Sequence, residues 1–342
     1  MKHNNLRAGF LSAVVILAML ASSCEKVLDV NYDPSQSQLV VNAVPQAGKR
    51  AFVYFAHTRF FLDASNNQPL DSVGLTLFVN GTPYSPDSVA NCKYFFPYTF
   101  AGGDTLALDA RAGSRRASAQ TYVPHLPTIS GLDLRNHPSG RTFRYYEADF
   151  DFQDHPGTAD YYNLRVMVRD SGVRFNEWKQ QFDTVDTVHA TYFLLQHNPE
   201  ITGNASYSNA MLGYLYTHNY FNDSEIDGRN YHTSLSILQF VDTTEVQPFK
   251  HEYSVVVEAM TYARLRYLID ASRQGSGNSF FTEQGTVRGN VDGAFGIFAG
   301  SAKCEFSFWP DTLPVVSDPG RFLPVPPPGF ASETGRKPVG RR

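Results

Sequence analysis

The first third of the chain alternates between apolar and polar residues at the period of a β-strand. Residues 73–79 alternate strictly and are followed by Asn80-Gly81, a dipeptide typical of two-residue hairpin turns. Similar short runs, separated by turn residues, continue to Val123. Many short strands over about 90 residues predict an antiparallel, immunoglobulin-like β-sandwich at residues 38–127.

The alternation resumes in a second region. In residues 146–152 the even positions are apolar and the odd positions are acidic, which is typical of a half-buried antiparallel strand. Residues 128–309 therefore predict a second β-sandwich-like domain. One short helix is expected after Thr261, the candidate N-cap. Its apolar face would carry Tyr262, Leu265, Leu268 and Ile269.

The C-terminal segment, residues 310–342, has no apolar periodicity. It contains eight prolines in 33 residues. A segment of this composition buries too little apolar surface to offset the entropy of ordering it. We therefore expect a Pro-rich tail that is extended or disordered.

The first 24 residues have the organisation of an export signal. Two cations precede an apolar run, Ala8–Leu20, that ends in Ala21-Ser22-Ser23-Cys24, as is typical of a secretory signal peptide. A cysteine directly after small residues resembles a bacterial lipobox, in which the thiol is acylated and anchors the chain. We expect a signal peptide at 1–23, lipidation at Cys24 and a polar tether at 24–37. The alternative is an ordinary signal peptide with a chance cysteine.

Composition and charge narrow the classes of partner. The mature chain of 319 residues carries 27 basic and 33 acidic side chains, because Lys2 and Arg7 leave with the signal peptide. A net charge of −6 argues against a nucleic-acid-binding protein. The aromatic content of 14% favours strands, since rings pack well on half-buried pleated surfaces.

Two cysteines remain once Cys24 is assigned to lipid. An exported chain meets an oxidising compartment, so Cys92 and Cys304 could form a disulfide. The alternative is two isolated buried thiols. Their positions along the sequence do not decide between these, because pairing requires Cα atoms within about 7 Å of each other.

Motifs of common catalytic and cofactor sites do not occur in the sequence. It contains no G-x-S-x-G, H-E-x-x-H, C-x-x-C, P-loop or dinucleotide-binding motif, so we expect neither an enzyme nor a cofactor. We also expect no metal, although histidines and carboxylates can bind one when they meet in space. Solvated loop histidines and an acidic strand face are the simpler interpretation. The side chains that keep the metal alternative open are His189, His197 and His218, and Asp149, Asp151, Asp154 and Asp160.

Between about residues 176 and 228 the alternation weakens, and aromatic residues stand among Asn and His. Loops this long in a compact domain are usually functional or disordered. Exposed rings with amide neighbours suit a glycan or peptide ligand, because rings offer apolar area at low entropic cost. The alternative is that these rings fill the core of the second domain. The candidate ligand-binding residues are Tyr192, Phe193, Tyr207, Tyr214, Tyr216, Tyr220 and Phe221.

Six stretches, taken in order, resemble a known family. They are Leu39–Asn42, Leu77–Gly81, Gly103–Leu106, Asp154–Gly157 with Tyr161-Tyr162, Phe221–Asp223 with Asp227–Tyr231, and Asn290–Phe298. Over residues 24–305 the chain resembles the Bacteroidota lipoproteins that contain domain of unknown function 4249 (DUF4249). The resemblance implies no activity and no catalytic residues. It implies a lipoprotein that accompanies a TonB-dependent outer-membrane receptor.

Together these features predict a non-enzymatic lipoprotein of the cell envelope, anchored in the outer membrane. The sequence leaves open whether the protein is surface-exposed or lies on the periplasmic face. Its expected role is to bind a ligand or to serve as an accessory in TonB-dependent uptake. Two alternatives stay open, an envelope hydrolase with an unrecognised site and a structural or adhesive surface protein. A deep pocket with clustered carboxylates, or with Ser and His, would favour the hydrolase. A shallow aromatic groove would favour the binding protein.

Overall fold

Over the described residues, the computed structural model is mainly β, with several sheets of mostly antiparallel strands and one α-helix, which confirms the predicted fold class. The described residues all belong to one compact unit. Residues 1–37, with the expected signal peptide and Cys24, lie outside the described part of the chain. The described residues are 38–58, 70, 73–137, 143–196, 209–211, 215–224, 226–240, 245–275 and 287–314.

Two sheets of the described chain enclose the first hydrophobic core. Their strands are β1 (Leu39–Ala43), β2 (Arg50–His57), β3 (Val73–Val79), β4 (Thr82–Tyr84), β5 (Ser88–Ala90), β6 (Lys93–Thr99), β7 (Thr105–Ala112), β8 (Arg115–Tyr122) and β18 (Phe295–Phe298). One sheet has the order β18-β1-β2-β6-β5 and the other the order β4-β3-β7-β8. Apolar residues of both sheets share one buried cluster, so this part is a β-sandwich. We call it the first sandwich.

A third sheet forms what we call the second sandwich. Its strands are β9 (Thr128–His137), β10 (Phe143–Gln153), β11 (Tyr161–Asn176), β12 (Gln181–Thr191), β13 (Phe193–Gln196), β14 (Asn209–Met211), β15 (Leu215–Asn222), β16 (Asn230–Phe240), β17 (Glu245–Met260) and β19 (Ser301–Phe308). The order is β19-β17-β11-β15-β13-β16-β10-β9, with β12 beside β11 and β14 beside β15.

Opposite ends of this third sheet pack against each other. The ring of Tyr146 in β10 lies 5.3 Å from that of Tyr253 in β17, and Phe150 lies 5.4 Å from Phe306 in β19. Strands β10 and β19 are six positions apart in the sheet order. The sheet therefore folds over its own apolar face and encloses the second core.

Local sequence signals account for several of these elements. Asn80 and Gly81 both have positive φ, at 50° and 82°, and join β3 to β4 as the hairpin prediction required. The last two strands do not pair with each other, because β18 pairs in parallel with β1 and β19 pairs with β17. A strand from the end of the chain thus completes the first sandwich.

The helix predicted after Thr261 is present as α1 (Tyr262–Gly275). Leu265 and Ile269 are buried against Tyr220 and Met260 on the outer face of the third sheet. The Thr261 side chain does not act as the predicted N-cap, because its Oγ1 is buried without a hydrogen-bond partner among the described residues. Within that same part of the chain, no helix has the length and apolarity to cross a bilayer.

The start of the Pro-rich segment docks on the second sandwich. Pro310–Thr312 forms a 3₁₀ turn in which Pro310 is buried, and Leu313 packs against the second core. The Asn136 amide donates a hydrogen bond of 3.0 Å to the Pro314 carbonyl. The expectation of an extended or disordered tail is therefore corrected for residues 310–314. Residues 315–342 lie outside the described part of the chain.

The link between β18 and β19 passes close to the first sandwich. The Gly300 amide donates to the Thr121 Oγ1 at 3.2 Å, and the Ser301 amide donates to the Pro45 carbonyl at 2.7 Å. A Cβ at Gly300 would lie only 1.8 Å from the Tyr122 carbonyl oxygen. No side chain therefore fits at this crossing without moving backbone.

We predict that Gly300→Ala lowers the free energy of unfolding by about 1–3 kcal/mol, because the added methyl group must displace the backbone of Tyr122. Gly74→Ala is the matched control, since its Cβ would have ordinary contact with Arg111 at 3.9 Å. Denaturant unfolding of both variants measures the difference. Equal midpoints for Gly300→Ala and the wild type would show that the crossing tolerates a side chain.

Candidate functional site

A cleft of about 560 Å³ lies between the first sandwich and the β11–β17–β19 part of the second. Small-molecule sites commonly have volumes of about 300–1,000 Å³. We call it the cationic cleft. Its lining residues are Val44, Gln46, Lys49, Arg50, Phe52, Phe95, Phe100, Arg165, Glu258, Arg264, Ser301 and Lys303.

The first sandwich contributes an aromatic wall. Phe52 in β2 and Phe95 in β6 are directly paired across the strands, with ring centroids 5.8 Å apart. Their neighbours Val53 and Phe96 point into the core, so alternation turns these two rings outward. Phe52 stays 36% exposed. The outer face of this sheet thus offers apolar ring surface to the cleft.

The second sandwich contributes a buried carboxylate between two arginines. Glu258 in β17 has a side chain only 2% exposed. The Arg264 guanidinium, at the start of α1, donates to its Oε1 at 2.7–2.9 Å. The Arg165 Nη2 lies 3.3 Å from its Oε2. This ion pair fixes both guanidinium groups at the cleft, because a buried carboxylate is stable only when it is paired.

Positive charge exceeds negative charge in the cleft. Five cationic side chains line it among the described residues, and two carboxylates, Glu258 and Asp87, oppose them. Asp87 accepts two hydrogen bonds from Arg50, at 2.5 and 2.6 Å. Lys49 and Lys303 form no ion pair within the described part of the chain. In a protein of net charge −4, such a cleft attracts anions.

Two side chains of β15 lie behind the arginines. Burial lowers the pKa of His218, and the nearby Arg165 guanidinium lowers it further. Burial raises the pKa of Tyr220 to about 12. The two rings are stacked, with centroids 5.9 Å apart. At neutral pH both groups are therefore uncharged, and they add no charge beside the Glu258 ion pair.

The candidate aromatic residues do not form one exposed face. Phe193 and Phe221 are buried in the second core, and Tyr220 is buried beneath α1. The prediction that these three residues bind a ligand on an exposed surface is therefore wrong. They fill the protein core, as the alternative interpretation of the sequence had it. Tyr192 is half-buried, and Tyr216 belongs to β15. Tyr207 and Tyr214 lie outside the described residues.

The two cysteines of the described chain do not pair. Cys92, in the turn before β6, is buried, and Cys304 in β19 is half-buried; both are free. The alternative of isolated thiols is the one observed. Burial raises the pKa of both thiols, which makes them poor nucleophiles. The lipidation residue Cys24 lies outside the described residues, so its modification stays a prediction.

The residues that kept a metal site open have other partners. Asp151 pairs with His232 at 2.8 Å, Asp149 lies 3.6 Å from Arg135, and His189 lies 3.9 Å from Asp170. Across the described chain, no group of three or more His, Cys, Asp or Glu is arranged to hold a metal ion. His197 lies outside that part of the chain.

Buried carboxylates also lie where the two sandwiches meet. The Tyr122 hydroxyl, from β8, donates to the Asp160 Oδ1 at 3.1 Å, and the Asp160 amide donates to the Asp223 Oδ2 at 2.7 Å. Tyr162 donates to the third carboxylate, Asp154. Burial raises the pKa of Asp160 to about 6 and also raises that of Asp223. Ionisation of Asp160 at neutral pH therefore costs free energy in the folded protein.

The tip of the β11–β12 hairpin exposes apolar side chains. Trp178 is 99% exposed and Phe182 is 64% exposed, and the Phe182 ring packs on Phe175 with centroids 5.1 Å apart. Scattered exposed apolar residues are common on soluble proteins, but a fully exposed tryptophan is not.

Sequence reasoning missed the residues of the cationic cleft. They come from positions that lie far apart in sequence, and none belongs to a known motif. One signal was available: Glu258 is the single charged residue in the apolar run Val255–Met260. A lone carboxylate in a buried strand requires a cationic partner.

The sequence matches one family model, described as Domain of unknown function (DUF4249), over residues 25–307. Among solved structures, the chain is similar to the collagen adhesin from S. aureus, at 9% sequence identity and a TM-score of 0.17. That alignment covers 80% of this chain and 95% of the adhesin chain. At this TM-score the likeness supports no argument. No curated protein matches the sequence.

We predict that Asp160 makes the protein less stable as the pH rises. Its folded-state pKa of about 6 lies above the ordinary 3.8, so the folded chain binds more protons than the unfolded chain between those values. The contribution to stability is present below about pH 4 and is lost as the pH rises through 6. Asp160→Asn should therefore gain about 1 kcal/mol in the free energy of unfolding relative to wild type between pH 5 and 7.

Asp270→Asn is the control for this measurement. Hydrogen bonds from Arg288 hold the pKa of Asp270 at about 2, so its contribution stays constant between about pH 5 and 7 and is lost only in stronger acid. Urea unfolding across this range compares the two variants with the wild type. Parallel curves for Asp160→Asn and wild type would refute the assignment to Asp160.

Proposed function

We propose that this chain, which belongs to the DUF4249 family, is a non-enzymatic binding protein of the cell envelope and that its ligand binds in the cationic cleft. One observation carries the proposal: Lys49 and Lys303, without ion pairs among the described residues, line a cleft of about 560 Å³ beside outward-facing rings. Cations in such a concave, partly apolar site concentrate anions from solution.

A binding role fits the cleft better than hydrolysis does. Glu258 is the carboxylate among the lining residues, and its oxygens face Arg165 and Arg264. A carboxylate held in this way positions the arginines and is not free to act as an acid or base. The hydrolase alternative therefore has no specific support in the cleft.

The proposed location rests on the sequence pattern of residues 1–24. A signal peptide followed by an acylated Cys24 would hold the protein on the outer membrane, because each buried methylene contributes about 0.8 kcal/mol. The family resemblance extends the proposal to a surface-exposed accessory of a TonB-dependent receptor. In that role the cleft would hold the transported compound near the receptor.

We expect Lys49→Ala/Lys303→Ala to weaken the binding of an anionic probe, 1-anilinonaphthalene-8-sulfonate, by about tenfold, because both changes remove attraction for the sulfonate. The matched control is Lys179→Ala/Lys250→Ala, which removes the same charge from exposed positions that do not line the cleft. Fluorescence titration of the folded proteins compares the three. Equal affinities of Lys49→Ala/Lys303→Ala and the wild type for the probe would contradict binding in the cleft.

We expect Cys24→Ser to abolish labelling by an alkyne fatty-acid analogue and to leave an uncleaved precursor or a released protein. Cys92→Ser is the control, since Cys92 is a buried thiol of the first sandwich and its loss should leave the label in place. In-gel detection after metabolic labelling gives the readout. An unlabelled wild-type protein would contradict lipid anchoring.

A further inference from the structure

We propose that the ligand of the cationic cleft is an organic anion whose charged group is joined directly to a flat apolar body, the chemistry of an aromatic acid. The inference rests on the proposed function and specifies the class of compound that the same cleft takes. It is carried by the division of the cleft into an aromatic wall and a cationic wall, which come from different sandwiches.

The aromatic wall suits a flat ring. Phe52 and Phe95 lie side by side on the outer face of the first sandwich, with centroids 5.8 Å apart. Cations already sit near both rings: the Lys93 ammonium is 5.4 Å from the Phe52 centroid, and the Arg50 guanidinium is 5.4 Å from that of Phe95. Each ring therefore has a cation over its face, and a ligand ring that contacts Phe52 or Phe95 does so beside that cation.

The cationic wall suits a carboxylate or sulfonate. Lys303 in β19 is directly paired with Glu258 in β17, so both project from the outer face of the third sheet. Arg165 projects from the same face, and its guanidinium, 3.3 Å from the Glu258 Oε2, already neutralises that carboxylate together with Arg264. Lys49 and Lys303 are therefore the cations that a ligand anion would pair with.

Neither half of such a ligand uses the whole cleft. A small inorganic anion would satisfy the lysines and leave the Phe52 and Phe95 rings facing water. A neutral aromatic compound would cover the rings and leave Lys49 and Lys303 without a counter-charge. Affinity therefore comes from both contacts together, and the volume of about 560 Å³ is large enough for a molecule that carries both.

The test uses probes that separate charge from ring. The full-length protein is titrated with 1-anilinonaphthalene-8-sulfonate and with N-phenyl-1-naphthylamine, which has the same rings without the sulfonate. Sodium sulfate serves as a competitor that carries charge without rings. We expect the sulfonate to bind at least tenfold more tightly than the neutral amine, and sulfate to compete only weakly.

Variants locate the two contributions. Phe52→Ala should weaken sulfonate binding by about fivefold to tenfold, because it removes ring contact, and Lys49→Ala/Lys303→Ala should do the same through charge. Phe182→Ala is the matched control, since it removes an exposed ring from the β11–β12 hairpin. Thermal melts show that each variant is folded.

The outcomes separate this inference from the proposed function. Loss of sulfonate binding in the lysine variant but not in Phe52→Ala, or full competition by sulfate, would leave a simple anion site and overturn the aromatic acid. Equal affinity for the neutral amine would overturn it as well. If neither cleft variant changes sulfonate binding while Phe182→Ala does, the cleft is not the site and the proposed function also fails.

Discussion

The whole arrangement depends on one strand taken from the far end of the chain. Strand β18 pairs in parallel with β1 and adds its Phe298 to the first core. Two residues later the chain passes Gly300, whose lack of a side chain lets it approach the Tyr122 backbone, and enters β19. This crossing brings Lys303 beside Glu258 and the first sandwich beside the third sheet. The cleft exists because the two sandwiches share this segment.

Within the cleft, burying the Glu258 carboxylate costs free energy, and its ion pairs position two arginines. Removing a carboxylate from water is unfavourable by several kcal/mol unless partners compensate for it. Arg264 and Arg165 supply that compensation from a helix terminus and a neighbouring strand. Burying an apolar side chain at position 258 would cost less free energy. The carboxylate instead holds two guanidinium groups at the edge of an open cleft.

Much of the fold could be predicted from local pattern. The strict alternation before Asn80-Gly81 gave β3 and its hairpin, and the spacing after Thr261 gave the helix, because both signals depend on residues close in sequence. The partner of β18 could not be predicted, because a parallel pairing between residues 40 and 295 produces no pattern in the sequence around either strand. The cleft was missed for the same reason: Lys49, Phe95 and Lys303 meet only after three sheets have formed.

The aromatic residues show why composition alone did not predict which rings are exposed. A strand turns successive side chains to opposite faces, so a shift of one position decides whether a ring is core or surface. Phe52 faces the cleft, whereas Phe55, three positions later in β2, is fully buried. In β15, Phe221 faces the second core and Tyr220 the helix, and neither is open to solvent. An aromatic-rich stretch therefore exposes its rings only where the sheet that carries them has an uncovered face, as β2 has at Phe52.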